Sequence, residues 1–242
     1  MFLELSYILS EKIPNYPDSV PERFERILSQ EKGDVSNTTL VYHYTHNGTH
    51  VDAPYHFDSN GWKIHEIPIS YFIYENPLFL NFPKGPEEKI TLKEVQNVPN
   101  VEKADLLIFR TGFGELREKD PITYRFLFPG LEVDLARFIR EELENVKAIM
   151  IDFLSVDPLI EGNQKGFVVH KQLLSKETSS KRPVLIIEDV FLEPLIDQNV
   201  KRVFALPIRF MDVDGAPVSV LSLIHISEPT RLGMISYAVF CL

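Results

Sequence analysis

Apolar residues in this chain fall into short runs separated by proline, glycine, asparagine and aspartate. Phe2 to Tyr7 alternates apolar and polar positions and reads as a first strand, with Arg23 to Leu28 and Thr39 to Thr45 as two more. Pro77 to Phe82, Ala104 to Arg110, Ala148 to Asp152, Pro183 to Val190 and Val203 to Phe210 are near-continuous apolar runs, the pattern of strands covered on both faces. Leu131 to Val146 follows the helical period, with Leu131, Leu135, Phe138 and Ile139 on one face, and it leads straight into the run at Ala148. Thr91 stands where it can cap a short helix through Val95. Pro14-Asn15-Tyr16-Pro17 reads as a rigid loop able to present an aromatic, and Asp214 to Val218 as a tight turn. Helical and buried-strand segments in alternation predict an α/β fold. With no repeat, low-complexity tract or linker, one domain over residues 1–220 is expected.

Composition narrows the class. The chain has 242 residues, 44% hydrophobic and 25% charged, enough for a substantial core in an ordinary globular protein. The formal charge of -10 disfavours nucleic acid or an anionic membrane as partner, and a small-molecule substrate is the expected one. No apolar run reaches spanning length, and Glu4 stands where a secretory leader would carry bases, so a cytoplasmic location is expected. Cys241 is the only cysteine, which excludes an intrachain disulfide and a thiolate metal site. From Leu221 the sequence resembles an in-frame translation of a sequencing-library adapter. Residues 221–242 are therefore expected to be a non-native tail, and His225 is not counted as a ligand.

The chemistry concentrates in His46-Asn47-Gly48-Thr49-His50-Val51-Asp52-Ala53-Pro54-Tyr55-His56-Phe57, where three histidines and an aspartate fall within eleven residues. Imidazole and carboxylate together suit zinc, manganese or iron. Gly48, Thr49, Val51 and Pro54 argue against a helix, so the i, i+4 spacing of His46 and His50 is not a helical zinc motif. A turn at Asn47-Gly48 followed by a short strand instead puts His50 and Asp52 on one face, with His46 approaching across the turn. His56, beyond Pro54, then reaches the same cavity from another direction as a general acid/base. Farther along, Glu188 closes a five-residue apolar run, a place where a carboxylate is costly to bury unless something positive meets it.

The run HNGTHVDAPYHF resembles the signature HxGTHxDxPxHF of the cyclase family of metal-dependent hydrolases, which includes bacterial kynurenine formamidases and isatin hydrolases. The resemblance extends through Arg110-Thr111-Gly112, Phe128-Pro129-Gly130-Leu131, Ser155-Val156-Asp157, His170, Glu188 and the closing segments, covering nearly all of residues 1–220. It implies a swivelling β/β/α fold, a mixed sheet with a small barrel flanked by helices, assembled as a homodimer or homotetramer. By resemblance, His46, His50 and Asp52 are first-metal ligands, Asp52 and Glu188 bridge to a second metal held by His170, and His56 transfers protons. The cofactor implied is one or two divalent ions, zinc or manganese.

The implied reaction is amide hydrolysis, with N-formylkynurenine as the leading substrate. A tryptophan helps bind substrate in formamidases of the family at roughly the place of Tyr16 here, so a cyclic amide, lactone or sugar derivative stays open as substrate, and a non-catalytic metal-binding protein is the further alternative. Tyr16, Phe113, Phe126 and Phe128 are the candidate substrate contacts, though core aromatics would give the same pattern. Trp62, His65 and Glu66 are candidates for the cavity mouth. His43 reads as a packing or surface residue, and Asp157 as a turn or cap with a supporting role to a ligand as the alternative. Asp189 stands where the family usually has asparagine.

Overall fold

The computed structural model describes residues 1–225. Its elements run β1 (Phe2–Glu4), β2 (Arg23–Leu28), β3 (Thr38–Tyr42), β4 (His50–Asp52), β5 (Ile73–Tyr74), β6 (Pro77–Asn81), β7 (Lys89–Ile90) and α1 (Leu92–Val95). There follow β8 (Leu106–Arg110), α2 (Leu116–Lys119), α3 (Pro121–Phe126), β9 (Gly130–Leu131), α4 (Val133–Glu142) and β10 (Ala148–Ile151). The last are α5 (Leu159–Lys165), α6 (Val168–Leu174), β11 (Leu185–Glu188), β12 (Val200–Pro207) and β13 (Gly215–Ile224).

Nine strands make one mixed sheet in the order β5-β12-β13-β4-β11-β10-β8-β6, with β1 joined to β13. The β6-β8-β10-β11 half is parallel, and β4, β13, β12, β5 and β1 are antiparallel. The sheet curls until β12 lies against β6, nearly closing a barrel, and helices flank it, as expected. Side-chain alternation divides each buried strand between two cores. Leu106, Ile108, Met150, Ile187 and Val51 fill the curl, while Leu107, Phe109, Ile149, Ile151 and Ile186 face Leu135 and Ile139 of α4 and Leu173 of α6. Both faces being covered explains why these runs are apolar throughout.

Most expected elements form, and the differences have local causes. Thr91 stands at the N-cap of α1, its N–H and its hydroxyl both donating to the Glu94 carboxylate. Helix α4 starts two residues later than periodicity suggests, because the Leu131 N–H donates to the Val156 carbonyl and Leu131 pairs with Ile90 in a short parallel ladder. Asp214 to Val218 is not a tight turn, since β13 begins at Gly215 and pairs with β4 and β12 on either side. The expected division at residue 220 falls inside β13, where Leu221 to Leu223 pair with Glu4 to Phe2. The remainder of the expected tail, 226–242, lies outside the described residues. No described helix is long and apolar enough to cross a membrane.

Asp189 shows how the chain accommodates a buried charge. Its φ of +52° is left-handed, a conformation that asparagine and aspartate tolerate better than most residues. Its carboxylate points away from Glu188, accepting from Arg117 Nε at 2.9 Å and Nη2 at 3.0 Å and from the Tyr124 hydroxyl at 2.6 Å. Removing one partner of such a pair leaves a buried charge uncompensated. Arg117→Ala is expected to cost about 3–5 kcal/mol and lower Tm by roughly 10 °C. A calorimetric scan showing an unchanged Tm would exclude this role.

Candidate metal centre and active site

The site lies where β4 and β11 run side by side. Glu188 is directly opposite His50 in the antiparallel ladder, so both project from the same face as Asp52. Two local devices set the entry into β4. Gly48 has φ +64°, a conformation glycine takes without strain, and a Cβ there would press on the tip of the Leu9 side chain, 2.3 Å away. The Thr49 hydroxyl receives the Tyr7 N–H at 3.0 Å and donates to the Asp189 carbonyl at 2.6 Å, tying the turn to two neighbouring segments. His170 arrives from the first turn of α6, whose buried Val169 and His170 N–H groups, without partners inside the helix, donate to the Asp157 carboxylate.

Ring tautomers follow from the partners. His50 Nδ1 lies 2.8 Å from the Gly48 carbonyl, which can only accept, so that nitrogen carries the proton. His170 Nδ1 is 2.7 Å from Asp157 Oδ2, the carboxylate–histidine arrangement that orients metal-binding rings. Asp157 thus caps the helix and holds the ring, joining the two roles that sequence reasoning kept apart.

The other nitrogens converge on two carboxylates. His50 Nε2 is 3.3 Å from Asp52 Oδ1 and 3.5 Å from Glu188 Oε2, and His170 Nε2 is 3.6 Å from Asp52 Oδ2 and 3.5 Å from Glu188 Oε1. Both His50 Nε2 and Asp52 Oδ2 are buried without a hydrogen-bond partner. Burying two carboxylates costs several kcal/mol each unless positive charge meets them. A divalent cation fits this donor set: it would face oxygens and imidazole nitrogens of the kind zinc and manganese accept. Burial disfavours a charged His50 ring, yet Asp52 and Glu188 outweigh it and hold its pKa up at about 10. The same contest raises His170, with Asp157, Asp52 and Glu188 overcoming burial.

His46 and His56 form a second cluster around the same aspartate. His46 Nδ1 is 2.8 Å from Asp52 Oδ1, and its ring stacks on that of His56 with centroids 3.9 Å apart. His46, Asp52 and His56 could hold an ion by proximity, as could His50, Asp52 and Glu188, with Asp52 common to both groups. His56 is the more exposed ring, its side chain 26% accessible against 3% for His50, which suits a group that meets substrate.

These residues line a cavity of about 440 Å³ together with Tyr16, Tyr44, Phe57, Ser155 and Phe167. All five expected ligands, His56 and Tyr16 are therefore brought together. Phe113 and Phe128 are not among the lining residues: both are buried in the helix-side core, Phe113 stacked on Tyr124 and Phe128 against the back of Tyr16. Each sits beside a β-strand end whose apolar face needs filling, so packing claims them. Phe126 is part-exposed and away from the cavity, as are Trp62, His65 and Glu66. His65 Nδ1 accepts the Asp212 N–H, and Glu66 accepts from Lys63. His43 pairs with the buried Glu22 at 2.9 Å, a structural contact. The residue that sequence reasoning missed is Asp214, whose Oδ2 lies 2.9 Å from His46 Nε2 and 3.1 Å from His56 Nδ1.

Comparison with known proteins places the chain in a family. The cyclase family model matches residues 3–158, and the chain belongs to that family. Kynurenine formamidase from Bacillus mycoides (strain KBAB4) is 30% identical over 218 residues, spanning 90% of this chain and 94% of that protein, and the kynurenine formamidase of Bacillus anthracis matches at the same identity and coverage. Isatin hydrolase A from Labrenzia aggregata superposes with a TM-score of 0.76 over 92% of this chain and 93% of its own, at 19% identity. A predicted metal-dependent hydrolase from Bacillus stearothermophilus gives a TM-score of 0.71 at 22% identity, covering 92% and 97%. By class the chain is a hydrolase of this family.

Proposed function

We propose that this chain hydrolyses a small N-formyl aryl amide, N-formylkynurenine first, to formate and the free arylamine, using zinc or manganese. The observation that carries this reading is the convergence of His50, Asp52, His170 and Glu188, two of their polar atoms unpartnered, beside His56 in one aromatic-walled cavity. His46, His50, Asp52, His170 and Glu188 would hold the ion or ions, with Asp52 shared if there are two. A bound ion supplies a water whose pKa falls from 15.7 toward about 7, and polarises the substrate carbonyl.

The chain's own residues do the rest. Burial lowers the His56 pKa despite the opposing pull of Asp214, leaving the ring neutral and able to accept a proton near pH 7. It returns that proton to the departing nitrogen, which would otherwise leave as a poor amide anion. Tyr16, Phe57 and Phe167 offer flat apolar surface to an aryl group. The formamidase relatives, similar along almost their whole length, support a formamide over other amides.

The test is hydrolysis of N-formylkynurenine by apo protein reconstituted separately with zinc and manganese, with a cyclic aryl amide in parallel. Metal-dependent release of formate is the expected result. Stoichiometric metal uptake with turnover of the cyclic amide alone would keep the site and reject this substrate.

A further inference from the structure

Asp214 lies outside the motif and outside the matched span of the family model, yet it touches both histidines of the second cluster. We propose that Asp214 is a positioning residue shared by His46 and His56: one carboxylate oxygen fixes the tautomers of both rings, so that His46 turns Nδ1 to the metal and His56 keeps Nε2 as its proton-transfer atom. This deepens the hydrolase reading and rests on its assignment of His46 as ligand and His56 as acid/base.

The geometry is specific. Asp214 Oδ2 accepts from His46 Nε2–H at 2.9 Å and from His56 Nδ1–H at 3.1 Å. A carboxylate oxygen has lone pairs for two such donors, and an ionised carboxylate cannot donate, so both contacted nitrogens carry hydrogen. The remaining nitrogen of His46 is Nδ1, which faces Asp52 Oδ1 at 2.8 Å, on the ligand side, and would give up its proton to bind an ion. The nitrogen left to His56 is Nε2. Ligating histidines usually pass their second N–H to a carboxylate, and here that carboxylate also holds the acid/base.

The surrounding chain is built to keep it there. The Asp214 carbonyl accepts the Ala53 N–H at 2.9 Å, and its Oδ1 receives the Thr45 hydroxyl at 3.2 Å, so backbone and second oxygen are both anchored to the motif segment. Gly215 follows, opposite Asp52 in the ladder, and a Cβ on it would come within 2.7 Å of His46 Cε1. The Asp-Gly pair is thus a seat for the His46 ring: glycine opens the space and aspartate sets the rotation. The stacked His46 and His56 rings, 3.9 Å apart, bring their two donors to the same oxygen.

The test uses zinc-loaded protein, wild type and Asp214→Asn, with three readouts. Long-range nitrogen-proton NMR of the histidine rings in the wild type should show His46 protonated at Nε2 and His56 at Nδ1. Zinc affinity by chelator competition should fall about 10–100-fold in Asp214→Asn. The kcat on whichever amide is turned over should fall by a similar factor or more, with KM within about threefold, since the change moves the reacting groups and not the substrate walls. Wild-type rings with the opposite tautomers would overturn the proposal without any variant, as would Asp214→Asn with unaltered zinc affinity and unaltered tautomers. Because affinity and tautomer are read without substrate, failure of the formamidase reading leaves this result legible.

Discussion

His56→Ala is expected to lower kcat on N-formylkynurenine by about 10²–10⁴-fold, the usual contribution of a positioned acid/base, with zinc stoichiometry unchanged. The separation of the two effects follows from the geometry. His56 stands on the short turn after Pro54, its nearest polar partner is Asp214, and it contributes no atom to the convergence of His50, Asp52, His170 and Glu188. Removing the ring leaves those four donors and their supports, the Gly48 carbonyl and Asp157, in place. Metal content by elemental analysis and steady-state turnover on the same sample check both halves. Loss of metal along with activity would make His56 a ligand; equal activity would remove it from the reaction.

Asp52→Ala is expected to abolish retention of the metal, weakening affinity by more than the roughly 100-fold reached by losing an outer partner. Asp52 faces His46 Nδ1, His50 Nε2 and His170 Nε2, at 2.8, 3.3 and 3.6 Å, and belongs to both groups of residues able to hold an ion. No other side chain of the site is opposed to three imidazoles. Those imidazoles hold its own pKa well down against the burial that raises it. Its removal leaves Glu188 as the one carboxylate facing the Nε2 atoms of His50 and His170, and the protein should purify free of metal and inactive. Dialysis against zinc followed by elemental analysis decides this, with circular dichroism confirming that the fold survives. Stoichiometric zinc after dialysis would mean that Glu188 and the histidines suffice.

Much of this molecule could be read along the chain because the deciding forces are local or periodic. Apolar runs marked β6, β8, β10 and β11 because a strand covered on both faces has no polar side to show. The Gly48 turn and the His50–Asp52 alternation were legible for the same reason: period-two geometry acts within three residues. The resemblance added His170 and Glu188, which spacing alone does not connect to residues more than a hundred positions earlier.

Other features depended on what each segment packs against. Phe113 and Phe128 read as cavity aromatics and are core residues, since the same side chain serves either place and only the neighbouring helix decides. Leu131 continued a helical period but left the helix, because Ile90 and Val156 offered its backbone partners. Asp189 departs from the family's usual asparagine at no visible cost, because Arg117 from α2 reaches it across 72 residues.

By itself, then, the sequence determined the strand and helix alphabet, the α/β class and the motif of donors from His46 to His56, all set by side-chain type and short-range backbone preference. The tertiary structure alone decided which face of the sheet those donors share, that His50 stands opposite Glu188, and that Asp157 holds His170. It also turned Asp214-Gly215 from an apparent turn into the seat of two histidines. The reason is range: hydrogen-bond partners 158 and 168 residues apart leave no trace in local pattern, and only the pairing of β13 with β4 brings them into contact.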